Sequence, residues 1–116
     1  MGLDGSTVAR MKNPVVGDEF TEMYHFWLTV LAVEGTKITW QSGAREWELH
    51  VADIRTFRKQ YSYDHIEGYW VQFVKNIGKK EAKDILEEWK KEIKDNLKKG
   101  TATEAKQKLA VKFMEV

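Results

Sequence analysis

Cysteine is missing from all 116 residues. Its absence removes disulfides, thiolate metal sites and cysteine nucleophiles together, and it fits an intracellular, cytoplasmic protein. Proline occurs once, hydrophobic residues make up 42% and charged residues 32%, so the composition is that of a folded soluble domain and not a disordered chain. No apolar run approaches the roughly 18 residues of a membrane-spanning helix, and the N-terminus lacks a signal-peptide apolar region. Net charge is nearly absent as well: 19 Lys and Arg face 18 Asp and Glu. No global field therefore draws the whole molecule onto nucleic acid or an anionic membrane. There is no Gly-rich phosphate loop, no G-x-S-x-G elbow and no H-E-x-x-H pair, which excludes the enzyme classes those motifs serve.

What is present is enough chain for one domain with a real core, and five tryptophans to fill it or to make its surface adhesive. The charge is uneven along the chain. Residues 1 to 75 hold eight Lys and Arg against ten Asp and Glu, and residues 76 to 116 hold eleven against eight. The opening "MGLDGS" satisfies the myristoylation pattern at Gly2 and Ser6, but Gly, Asp and Ser equally describe a flexible leader. Residues 1–13 are expected to form a mobile tail, with Met11 as an internal start, and residues 14–116 to form a single α+β domain.

A short bent strand and a three-stranded meander are legible over residues 15–51. After Val15 and Val16, a Gly17-Asp18 turn signal precedes Phe20 in a short bent strand. "YHFWLTVLAV" at 24–33 follows, then "TKITWQ" with Ile38 and Trp40 on one face, then "REWELHV" with Trp47, Leu49 and Val51 on one face. Short Gly-containing turns join the last three into an antiparallel meander. Residues 24–33 are apolar on both faces: Phe26, Leu28, Val30 and Ala32 alternate with Trp27, Leu31 and Val33. The second of these faces is expected to be the seam against helices.

A helical turn is expected at Ile54, Phe57 and Tyr61, spaced by three and four. Ile66, Trp70, Phe73, Val74 and Ile77 recur at helical spacing behind Asp64, so 64–77 is expected to be helical, with "YWVQFV" as a strand the alternative. Ala82, Ile85, Leu86, Trp89, Ile93 and Leu97 make one stripe over 79–99, closed by Gly100. Thr101 with Glu104 opens a last element that reads as helix or strand over 109–116. The expected architecture is a small antiparallel β-barrel or strongly bent meander over 14–57, with two or three C-terminal helices from 64–116 on one face.

Val16-Gly17-Asp18, "WLTVLAVEG", "KITWQSG" and "WELHVADI" together resemble the small SH3-like β-barrels of the Tudor and KOW type over residues 16–57. The resemblance implies a non-catalytic binder of peptides, modified side chains or nucleic acid. The helical half lies outside that family's pattern.

Candidate sites follow from residue chemistry. Arg55, Arg58, Lys59, Tyr61 and Tyr63 cluster just after the meander. Arginine forks suit phosphates and tyrosine rings stack on bases. In the alternative, Tyr61 packs inward beside Phe57 while the arginines pair with Asp53 or Asp64. On the long helix, Lys80, Lys83, Lys90, Lys91, Lys94 and Lys98 form one arc, and Glu81, Asp84, Glu88, Glu92 and Asp95 the neighbouring arc. Glu87 lies within the basic arc, and Glu87 to Lys91 and Lys91 to Asp95 have helix-pairing spacing. Trp40, Trp47, Tyr61 and Tyr63 are the rings available for a cage around a methylated cation, although alternation puts Trp40 and Trp47 with core residues. His25, His50 and His65 do not have metal-ligand spacing, and the carboxylates Asp18, Glu19 and Glu22 fit a solvated turn and strand edge.

The expected function is a non-enzymatic interaction module, an adaptor or inhibitor without cofactor or metal. It is expected to bind another protein through Trp27, Arg55, Arg58, Lys59, Tyr61 and Tyr63 and through the charge-striped helix. The alternative is nucleic-acid binding through Arg55, Arg58, Lys59 and the lysine face at Lys80, Lys83, Lys90, Lys94 and Lys98.

Overall fold

A computed structural model describes residues 5–22, 25–61 and 71–100. The chain is α+β. Helix α1 (Gly5–Lys12) leads into strands β1 (Asp18–Glu22), β2 (Phe26–Glu34), β3 (Lys37–Gly43) and β4 (Trp47–Asp53). Helix α2 (Ile54–Tyr61), strand β5 (Gln72–Asn76) and helix α3 (Lys79–Lys98) complete it. All pairings are antiparallel, in the order β4-β3-β2-β1-β5. The sheet therefore ends on two edge strands instead of closing into a barrel.

The expectations for residues 5–12 and 72–76 need correction. Residues 5–12 are not a loose tail, because α1 forms there and Met11 is buried against the sheet. Residues 72–76 are a strand, not helix: Phe73 sits opposite Phe20, their rings edge to face at 5.7 Å. The apolar residues of "YWVQFV" satisfied both periods, and the unpaired edge of β1 decides for the strand. His65, Tyr63, Asp64 and the element expected after Gly100 lie outside the described residues.

Each face of the sheet has its own core. On one, Phe20, Leu28, Val30, Ile38 and Trp40 pack against Met11 of α1 and Phe57 and Tyr61 of α2. On the other, Leu31 and Leu49 pack against Ala82, Leu86 and Ile93 of α3. Helices thus cover both faces, where the sequence suggested one.

The doubly apolar β2 is explained by this sandwich, with a change of register. Val30 pairs with Trp40 and Ala32 with Thr39, so Leu31 is an extra residue in the ladder. A bulge of this kind shifts the alternation by one. Val33 accordingly joins the α1/α2 core and Ala32 the α3 core, the reverse of simple alternation. The seam to α3 runs through Leu31 and Ala32, not through Val33. Trp27 lies half-buried on α3's side of the sheet, outside both clusters.

The start of β1 is fastened to the entrance of α3. Asp18, fully buried, accepts hydrogen bonds from the Val15 amide (2.9 Å), the Asn76 side-chain amide (2.9 Å) and the Arg10 guanidinium (3.3 Å). Asn76 in turn donates to the Val16 carbonyl and accepts from the Gly78 amide at 2.7 Å, immediately before α3 begins. Gly17 allows this closeness: it has φ +95°, and a Cβ there would lie 2.8 Å from the Gly78 nitrogen.

Candidate binding groove on the α3 face

On α3's side of the sheet, the register places Trp27 opposite Gly43 and Gly43 opposite Trp47. The central position of this row carries no side chain, and the Glu46 carbonyl of the turn stands where one would begin. Gly43 is required there by the turn into β4, since a Cβ would overlap the Glu46 carbonyl. Gly43→Ala is therefore expected to cost about 2 kcal/mol, by analogy with overpacked sites, as read from the urea midpoint.

Beside the row, an open pocket of about 450 Å³ is lined by Gln41, Trp47, Ile85, Glu88, Trp89 and Glu92. Alternation had placed Trp47 in the core, but it is 43% exposed. The reason is positional: Leu49 joins the core under α3, while Trp47, one pleat nearer the β3–β4 turn, lies outside it beside the open pocket. Trp89 is half-buried at the edge of the α3 stripe, and its indole N–H donates to Gln41 Oε1 at 2.9 Å. With that N–H engaged, Trp89 offers the pocket only ring carbons. Glu88 and Glu92, one helical turn apart, bring two carboxylates to the same rim.

The arcs of α3 sort to either side of its buried stripe. The acidic arc of Glu81, Asp84, Glu88, Glu92 and Asp95 flanks Ile85 on the pocket side. Lys80, Lys83, Lys94 and Lys98 are exposed on the arc beyond, and Lys90, half-buried, pairs with Glu87 at 3.8 Å instead of the expected Glu87–Lys91 pair.

The other candidates are differently placed. Asp53 caps α2 by accepting the Arg55 amide at 2.8 Å, and it also pairs with the Arg55 guanidinium at 3.2 Å. These contacts, hydrogen bonds first, hold the Asp53 carboxyl below its ordinary range. Arg58 donates to the Lys12 carbonyl at 2.7 Å, tying α2 to α1, while Lys59 is exposed. Tyr61 is buried, and its hydroxyl accepts from the Trp40 indole at 3.1 Å, so neither ring can form a surface cage. His50 stacks on Trp40 at 5.1 Å, and burial lowers its pKa against the opposing pull of Glu48. His25 is exposed in the β1–β2 turn. Among the described residues no cluster of His, Asp or Glu could hold a metal, and no helix is long and apolar enough to cross a membrane.

Trp89, Gln41, Ile85, Glu88 and Glu92 were not legible as a site in the sequence. The available signal was the position of Trp89 at the margin of its stripe, next to the acidic arc. No protein-family model, curated protein or solved structure matches the chain.

Proposed function

We propose that this protein is a non-enzymatic interaction module that binds another protein at the groove between β4 and α3. The observation carrying this reading is Trp47, a large apolar side chain left 43% exposed beside a second indole and an open pocket of about 450 Å³. Tryptophans in such positions supply a disproportionate share of binding energy at protein interfaces. Half of the charge-striped helix takes part, through the acidic arc that forms the rim.

The nucleic-acid alternative has less support. Arg55 and Arg58 are engaged with Asp53 and the Lys12 carbonyl, Tyr61 is buried, and the exposed lysines of α3 lie away from the indoles. What remains is sequence-indifferent phosphate contact, which would show as a steep salt dependence of binding to generic DNA or RNA.

The test is a displayed library of peptides selected on the full chain. Ligands are expected to be recovered that fail to bind Trp47→Ala, a variant whose unfolding free energy stays within about 1 kcal/mol of the parent because Trp47 belongs to neither core. If every recovered ligand binds Trp47→Ala as well as the parent, the groove is not the site.

A further inference from the structure

The groove, taken as the docking site proposed above, has a lining of one charge sign among the described residues. Its six described residues include two carboxylates, Glu88 and Glu92, and no lysine or arginine. Glu81, Asp84 and Asp95 extend that sign along the same side of α3, all exposed. Two indoles and two carboxylates around one open space select for a cation that also has an apolar or planar surface. An ammonium is compact and strongly hydrated, whereas a guanidinium is planar, weakly hydrated, stacks on aromatic rings and forks onto carboxylates. We propose that the groove binds an arginine side chain presented by an extended segment of the partner protein. The guanidinium lies against the rings of Trp47 and Trp89 and donates to Glu88 and Glu92, and the neighbouring residues of the segment occupy the remainder of the pocket.

A guanidinium held in this way needs its charge and its donors. Replacing arginine by citrulline keeps the shape and removes the charge. The loss of charge-assisted hydrogen bonds and of ring attraction is expected to weaken binding about tenfold.

The experiment titrates the full chain with an acetylated, amidated Gly-Ser-Arg-Ser-Gly peptide and with its citrulline, lysine and leucine counterparts. Binding is followed by the side-chain indole N–H signals in a proton–nitrogen correlation spectrum. Trp47→Phe and Trp89→Phe assign the two signals of interest. The expected result is movement of those two signals by the arginine peptide, about tenfold weaker binding of citrulline, and weaker binding of lysine and leucine. Glu88→Gln with Glu92→Gln should reduce the arginine peptide to the citrulline level. Equal binding of all four peptides, or preference for leucine or lysine, would overturn the arginine assignment while leaving the groove as a docking site. Signals that move with protein concentration alone would make a second copy of this chain the occupant and also overturn it. If no peptide moves either signal, the assignment and the docking site fail together.

Discussion

Trp40→Ala is expected to lose about 3–5 kcal/mol of folding stability, the range for deleting a large aromatic from a close-packed core. Trp40 is 1% exposed at the centre of β3. It meets Phe57 edge to face at 5.1 Å, stacks on His50 at 5.1 Å and donates its indole N–H to the Tyr61 hydroxyl. Three consequences combine in the variant: a cavity opens between sheet and α2, His50 loses the ring that shelters it, and the buried Tyr61 hydroxyl loses the indole donor and keeps the Gln60 amide at 3.2 Å. A domain of this size has only about 5–15 kcal/mol in total, so a partly unfolded population is expected at room temperature. Equilibrium urea unfolding read by circular dichroism checks it. Trp40→Phe, which retains a ring but not the N–H, should fall between the two. An alanine variant unfolding within about 1 kcal/mol of the parent would mean that this side of the sheet is not the core described here.

Asp18→Ala is the second large loss, about 2–4 kcal/mol, the cost of taking a buried acceptor from three donors at once. The carboxylate serves three donors on three segments: Arg10 of α1, the Val15 amide before β1, and Asn76 at the end of β5. Deleting it takes the acceptor from the Val15 N–H and leaves the Asn76 side-chain amide only the Val16 carbonyl of its two acceptors. Arg10→Ala should cost less, because the pair is screened at an Arg10 side chain that is 38% exposed and Asp18 keeps its Val15 and Asn76 donors. It does lose a cation–ring contact with Phe73 at 5.0 Å. The order Asp18→Ala, then Arg10→Ala, then parent in rising urea midpoint is therefore the expected outcome. An alanine at 18 tolerated as well as one at 10 would contradict the fastening of β1 to β5 and α3.

Much of this architecture was legible residue by residue. The meander from β2 to β4, the α2 spacing of Phe57 and Tyr61, and the α3 stripe from Ala82 to Leu97 all follow from periodicity, because each buries one regular face. Three features were not legible, each for a local reason. The bulge at Leu31 exchanges Ala32 and Val33 between faces, and alternation cannot register an inserted residue. β5 reads as helix before strand from its spacing, and only the free edge of β1 selects the strand. Met11 is buried although its neighbours Arg10 and Lys12 are charged, so α1 has too little apolar pattern to announce itself. At the groove the difficulty is one of extent. Trp47 alternates with core residues Leu49 and Val51, and only the reach of α3 across the sheet decides which of them is covered. Trp89 belongs to the same stripe as Leu86 and Ile93, and only its position toward the acidic arc brings it to the rim.

The central claim is that Trp47, not the lysine face of α3, carries partner binding. The direct measurement is the affinity of one selected protein ligand for three full-length proteins: the parent, Trp47→Ala, and a variant with Lys80, Lys83 and Lys94 changed to glutamine. The expected result is a loss of at least about tenfold for Trp47→Ala at an unchanged unfolding midpoint, as for an aromatic interface anchor, with the lysine variant binding like the parent. Undiminished affinity in Trp47→Ala together with a loss in the lysine variant would contradict the account.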